Sequence, residues 1–130
     1  MTHPRYTFPK SARLVSHKLT DELFSSADRR SFTAYPLRAV VLQKERQEVG
    51  QPLQLLISVP KKHLHHAVSR NRVKRQVREA WRHHCQALLQ ALPADRSLLV
   101  AMVWQSDRLS SSAHVESRML KLIDHIASGL

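Results

Sequence analysis

The residues with the clearest chemical potential are the lysines and arginines between residues 61 and 82. This stretch carries eight basic side chains against a single acidic one, Glu79. Ordinary surface helices mix the two signs of charge, so the imbalance predicts a surface that attracts a polyanion. The basic residues are Lys61, Lys62, Arg70, Arg72, Lys74, Arg75, Arg78 and Arg82.

From Arg70 onward, the spacing of the apolar residues predicts a helix. Residues on one side recur at intervals of three and four, as on the buried side of an amphipathic helix. They are Val73, Val77, Ala80, Trp81, His84 and Leu88. The same helical geometry puts two rows of polar residues on neighbouring faces. One row contains Asn71, Lys74 and Arg78, and the other contains Arg72, Arg75, Glu79 and Arg82.

The sequence contains little that could cleave a nucleic acid or bind a metal. Hydrolysis would require a general acid and base, or carboxylates that hold Mg²⁺, and the ten acidic residues are scattered. The spacing of the clustered histidines matches no common zinc motif. We therefore expect no catalytic residue and no metal ligand in the chain. The histidines in question are His63, His65, His66, His83 and His84, the last next to Cys85.

The composition limits the partner and the compartment. A formal net charge of +11 over 130 residues points to a nucleic acid or an anionic membrane. The longest apolar stretch, residues 98–104, is too short to span a bilayer, so we expect nucleic acid and no membrane. The single cysteine, Cys85, and the absence of an apolar signal segment predict a cytoplasmic protein.

Further elements must position the basic helix. The residue pattern predicts a short helix, two strands (or three, if one is split), the basic helix, a strand and a last helix. We expect the basic helix to end at residue 91 or 92. The other elements, in chain order, are expected at residues 14–25, 32–43, 52–59, 97–104 and 113–127. Residues 1–13, with two prolines and three Lys/Arg, are interpreted as a flexible basic arm, and residues 14–130 as one RNA-binding domain.

Local signals make four of these predictions more specific. Pro36 predicts that the first half of its strand lies at a sheet edge or bends away. Residues 44–51 are interpreted as a hairpin loop between two paired strands. The nearly continuous apolar run at residues 97–104 indicates a central strand covered on both faces. Ser69 is the predicted N-cap of the basic helix.

Two blocks of sequence resemble the bacterial ribonuclease P protein component. Arg70-Asn71-Arg72-Val73-Lys74-Arg75, continued by Arg78-Glu79-Ala80-Trp81, is similar to the Arg-Asn-Arg signature of that family. Ser58-Val59-Pro60-Lys61-Lys62 is similar to the strand end that precedes the signature. The resemblance implies an α+β fold. It would be a small single-domain α/β sandwich of about four strands and three helices, like the second domain of ribosomal protein S5, with a left-handed crossover. Pattern reasoning alone predicts the common right-handed crossover.

The same resemblance implies a function. The protein would join a large catalytic RNA that removes the 5′ leader of precursor tRNA. Mg²⁺ would enter through that RNA and not be bound by the protein, and no protein partner would be obligatory. By helix geometry and family analogy, Asn71, Lys74 and Arg78 are assigned to the leader, whereas the catalytic RNA is assigned Arg70, Arg72 and Arg75.

Aromatic residues on an open sheet face could stack unpaired leader bases, and the candidates are Phe24 and Phe32. Phe24 matches an aromatic position of the family, whereas Thr20 stands where the family has a second aromatic. Two alternative functions stay open. One is a general RNA- or DNA-binding module, and the other is a protein-only metal nuclease that depends on His83 or Glu79.

Overall fold

The computed structural model describes residues 17–45 and 51–130. The predicted flexible arm, residues 1–13, lies outside these ranges. In chain order, the described elements are α1 (His17–Ser25), β1 (Arg30–Ala34), β2 (Leu37–Glu45), β3 (Leu53–Ser58), α2 (Ala67–His84), α3 (Gln86–Ala91), β4 (Arg96–Trp104) and α4 (Ser112–Ser128).

The four strands form one mixed sheet in the order β1-β2-β4-β3. Strand β2 is antiparallel to both β1 and β4, whereas β3 runs parallel to β4. Five consecutive residues of β4, Leu98 to Met102, are buried, which confirms the prediction of a central strand covered on both faces. Because β3 and β4 are parallel neighbours, the connection between them through α2 and α3 is a crossover. The handedness of this crossover stays a prediction.

The predicted hairpin between the strands at residues 32–43 and 52–59 is wrong. Strand β3 pairs with β4, with Leu55 opposite Val100, and has no pairing with β2. Alternating apolar residues identify which face of a strand is buried, but they do not identify the strand beside it. The prediction for Pro36 is confirmed, because the stretch at residues 32–43 divides into β1 and β2 around Pro36, and β1 forms the edge of the sheet.

Alternate residues of the central strands pack on opposite sides of the sheet. On one side, Val41, Val100 and Met102 belong to a large core that includes the buried residues of α2, α3 and α4. On the other side, Val40 and Leu99 belong to a smaller cluster with Leu23 of α1. Helices α1 and α2 thus cover opposite faces of the sheet.

The basic helix begins earlier than predicted, and its cap is different. Helix α2 starts at Ala67, and its N-cap is His66, which makes no side-chain capping hydrogen bond. Ser69 lies within the first turn, so its prediction as the N-cap is wrong. The preceding loop is held by tertiary contacts, because Leu64 is buried and Arg70 binds the carbonyl oxygens of Leu64 and His65.

The basic helix is also interrupted before its predicted end. Helix α2 ends at His84 and α3 begins at Gln86, so the described residues contain four helices where three were expected. Cys85, at the junction, is fully buried, and this burial raises the pKa of its thiol to about 11. Since neither glycine nor proline marks the junction, the sequence carried no signal for a break. The fold is otherwise the predicted one, a single small α+β domain.

Candidate nucleic-acid interface

Helix α2 has one buried side, as the sequence predicted. Val73, Val77 and Trp81 have no exposed surface, and Ala80 is also buried. His84, which the periodicity placed on the same side, lies only partly buried at its margin. Its Nε2 is 2.8 Å from Oε1 of Glu116, so it links α2 to α4. The buried residues fix the rotation of α2 and therefore determine where its polar rows point.

The first polar row, Asn71, Lys74 and Arg78, is available to a ligand. Asn71 is exposed and the other two side chains are half-buried. Neither Lys74 nor Arg78 forms an ion pair with any residue that the structure describes. Nε of Arg78 is buried and lacks a hydrogen-bond partner in the same part of the chain. Long aliphatic stems that lie along the protein surface can present their charged ends in this way.

The second polar row borders a groove between α2 and the start of α4. Arg72 and Arg75 are exposed and line this groove together with Gln76, Glu79 and Ser112. Nε2 of Gln76 donates to the carbonyl oxygen of Ser110 at 3.0 Å and to Oγ of Ser112 at 3.2 Å. The amide thereby fixes α4 beside α2. Two exposed guanidinium groups on one groove are well suited to bind phosphate oxygens.

Arg82, at the end of this row, differs from the other arginines because it is paired with Glu79. Its Nε lies 3.3 Å from Oε2 of Glu79, and its Nη2 bonds the other carboxylate oxygen. His83 also contacts this carboxylate, with Nε2 at 3.1 Å from Oε1. The hydrogen bond from Arg82 lowers the pKa of Glu79. A carboxylate that already accepts these bonds is a poor general base, which weighs against a nuclease built on Glu79 or His83.

Arg70 has a structural contact that its sequence position did not reveal. Its Nη1 donates to the carbonyl oxygen of Leu64 at 2.9 Å and to that of His65 at 2.8 Å. The guanidinium therefore anchors the loop that leads into α2. In the same loop, Lys61 and Lys62 are exposed within a turn, where amide N–H groups of His63 and Leu64 donate to the carbonyl oxygen of Pro60.

The clustered histidines do not converge on one point. Nδ1 of His63 is 2.8 Å from Oδ1 of Asp107, whereas His65 and His66 are exposed. Within residues 17–45 and 51–130, no group of three or more His, Cys, Asp or Glu residues could hold a metal ion.

None of the described helices is both long enough and apolar enough to cross a membrane.

The two aromatic candidates lie on opposite sides of the sheet. Phe24, on α1, is 41% exposed and follows Leu23, which belongs to the smaller cluster. Phe32, on β1, is paired with Ala39 and packs against the larger core, with its ring centroid 6.4 Å from that of His125. The two rings therefore do not share one face of the sheet, and their role in stacking leader bases stays a prediction. Successive side chains of a strand point to opposite faces, and that of Phe32 lies on the face that α4 covers.

The first polar row of α2 is separated from Phe24 for the same reason. Helix α2 covers the large-core side of the sheet, and α1 covers the other side. A strand of nucleic acid that contacts both Lys74 and Phe24 must pass around an edge of the sheet. Arg38, on β2, was not among the predicted residues, and its Nε donates to Oγ of Ser31 at 2.8 Å. It lies apart from the basic stretch at residues 61–82, so no spacing drew attention to it.

Comparison with known proteins identifies the family. Residues 8–127 match the family model described as Ribonuclease P. A ribonuclease P protein component from a Porphyromonas gingivalis strain is 34% identical over 129 residues, which cover 98% of this chain and 91% of the relative. A protein with the same name from a second strain is 35% identical over 133 residues, covering 100% and 94%.

Solved structures show the same fold. The RNase P protein from Thermotoga maritima superposes with a TM-score of 0.63 at 19% identity, over 88% of this chain and 96% of that one. The Staphylococcus aureus RNase P protein gives a TM-score of 0.58 at 21% identity, over 91% and 96%. The match to the family model and the similarity to these relatives show that the chain belongs to the ribonuclease P protein family.

Proposed function

We propose that this protein is the protein subunit of a ribonuclease P ribonucleoprotein, which removes the 5′ leader of precursor tRNA in the bacterial cytoplasm. The observation that carries the proposal is helix α2. One side of it is fully buried, and its other faces present Arg72, Arg75 and Lys74 without an ion-pair partner among the described residues. Membership of the family supports the proposed reaction and the proposed RNA partners.

The chemical step is assigned to the catalytic RNA. Glu79 is engaged by Arg82 and His83, and the described residues offer no set of three metal ligands. We therefore assign no step to a metal held by this chain, and Mg²⁺ is expected to act through the RNA. What the protein contributes is binding, since each basic residue that neutralises a phosphate releases a counterion and favours the assembled complex.

The polar rows of α2 divide the binding between two RNAs. Arg72 and Arg75, on the groove beside α4, are assigned to the catalytic RNA, together with the N–H groups of Arg70 that its loop contacts leave free. Asn71, Lys74 and Arg78 are assigned to the 5′ leader. Phe24 is assigned to base stacking on the α1 side of the sheet, which an extended leader would reach around the sheet edge. No obligatory protein partner is proposed.

Reconstitution tests this function. The full chain is mixed with its cognate ribonuclease P RNA at low Mg²⁺, and release of the 5′ leader from precursor tRNA is followed. We expect the protein to accelerate the reaction of the RNA and to release no leader by itself. Cleavage by the protein without RNA would instead support a metal nuclease. A general RNA-binding module would bind unrelated RNA as tightly as precursor tRNA in a competition assay.

A further inference from the structure

A cavity of about 330 Å³ lies at the end of the sheet where β1 and β4 begin. We call it the arginine cavity. Its lining includes a group of buried or half-buried apolar side chains and two arginines: Phe32, Val41, Leu98, Ile126, Arg30 and Arg96. Pockets of this size with an apolar floor and a few polar groups are typical of binding sites for small organic molecules.

The topology of the sheet brings the two arginines together. Strands β1 and β4 both run antiparallel to β2, so both begin at the same end of the sheet. Arg30 opens β1 and Arg96 opens β4, and both line the cavity although they are far apart in sequence. This is why the spacing of basic residues in the sequence did not reveal the site.

Both basic side chains of the cavity are available to a ligand. Nη1 of Arg30 donates to the carbonyl oxygen of Gly129 at 3.3 Å, which leaves its other N–H groups available. Neither Arg30 nor Arg96 forms an ion pair within residues 17–45 and 51–130. Asp28 is the one carboxylate side chain among the described lining residues. Two guanidinium groups that have no ion-pair partner among the described residues favour an anionic ligand.

Phe32 indicates which class of anion fits. Its half-buried ring forms part of the lining beside Arg30, and a planar base can stack on an aromatic ring or on a guanidinium. We propose that the arginine cavity binds one unpaired RNA nucleotide, with its base against Phe32 and its flanking phosphates facing Arg30 and Arg96. This inference rests on the proposed function, because it adds an RNA contact separate from α2.

An NMR titration of the full chain with adenosine 3′,5′-bisphosphate tests this inference. We expect saturable shifts of the amide resonances of Arg30, Leu98 and Gly129, larger than any shift at Arg72 or Arg75. The double variant Arg30→Gln/Arg96→Gln should weaken binding by about tenfold, because charged hydrogen bonds to both phosphates are lost. Phe32→Leu should weaken it by about threefold or more through loss of stacking.

Arg29→Gln provides the matched control. Arg29 is adjacent to Arg30 in sequence, but its Nη1 donates to the carbonyl oxygen of Ser26 at 3.1 Å and it does not line the cavity. This variant should bind the bisphosphate within about twofold of the unchanged protein, since an exposed charge away from the site acts weakly. Equal loss in the control and the double variant would overturn the inference.

Two further outcomes are decisive. If inorganic pyrophosphate bound as tightly as the nucleoside bisphosphate, and Phe32→Leu had no effect, the site would be a simple anion site and the nucleotide proposal would be wrong. If Arg30→Gln/Arg96→Gln left bisphosphate binding unchanged while reconstituted leader removal still required α2, the inference would fail and the proposed function would stand.

Discussion

Among individual residues, the basic side chains of the signature differ in the contacts that they make. Lys74 and Arg72 have no ion-pair partner among the described residues, whereas Arg70 holds two carbonyl oxygens and Arg82 holds Glu79. Sequence reasoning grouped all of them as RNA-binding because they share a charge and a helix. They differ because Arg70 contacts the carbonyl oxygens of Leu64 and His65, and Arg82 contacts the carboxylate of Glu79. Helical spacing alone did not reveal these contacts.

Lys74→Ala tests the assignment of the first row to the leader. We expect the affinity for precursor tRNA to fall by about three- to tenfold, because one phosphate contact is lost, while the affinity for mature tRNA is unchanged. Equilibrium binding to the assembled ribonucleoprotein measures both. Lys121→Ala, an exposed lysine on α4, is the control and should change neither affinity. Equal weakening for precursor and mature tRNA would contradict the assignment.

Arg70→Ala tests the structural role of Arg70. Loss of both hydrogen bonds to the loop should reduce the free energy of unfolding by about 1–2 kcal/mol, as measured by urea denaturation. Arg72→Ala removes the same charge from an exposed position two residues away and should cost less than about 0.5 kcal/mol. If the two variants were equally stable, the anchoring role of Arg70 would be wrong.

At the scale of the elements, local residue patterns predicted which faces are buried and where strands lie in the sheet, but they did not predict which strands pair. The buried side of α2, the central position of β4 and the edge position of β1 followed from residues such as Val77, Leu98 and Pro36. The partner of β3 could not be predicted in this way, because alternation carries no information about which strand lies alongside. The start of α2 and the break at Cys85 depend on tertiary packing around Leu64 and Cys85, so local capping and breaker signals missed them.

Val77→Ala tests whether the buried side of α2 holds the helix in place. Val77 is fully buried, so its truncation should reduce the free energy of unfolding by about 2 kcal/mol. Val68, in the first turn of the same helix, is 80% exposed, and Val68→Ala should change this quantity by less than about 0.5 kcal/mol. Urea denaturation measures both. Similar losses for the two variants would mean that α2 is not anchored by this face.

For the whole molecule, charge and topology act together. A net charge of +11 makes the chain repel itself, and the sheet separates the Phe24 side from the α2 side. RNA that wraps around the domain would neutralise charge on both sides. The family resemblance predicted the α+β fold, but neither motif indicated that Phe24 and Phe32 lie on opposite sheet faces or that Arg30 and Arg96 share a cavity.

Self-repulsion predicts that anions stabilise the free protein. We expect sulfate to raise the melting temperature by several degrees above that in sodium chloride of equal ionic strength, because bound anions favour the folded state. Thermal unfolding followed by circular dichroism measures the shift. A melting temperature that sulfate and phosphate leave unchanged would show that the folded chain needs no polyanion.

The central claim is that the cationic faces of α2 bind the phosphates of the catalytic RNA, and the salt dependence of that binding tests it most directly. Plotted as log K against log salt concentration, the affinity of Arg72→Gln/Arg75→Gln should fall less steeply than that of the unchanged protein, by about 1.5 to 2 in slope. Arg29→Gln/Lys121→Gln, with the same loss of charge elsewhere, should keep the original slope. An unchanged slope in the α2 variant would contradict the account.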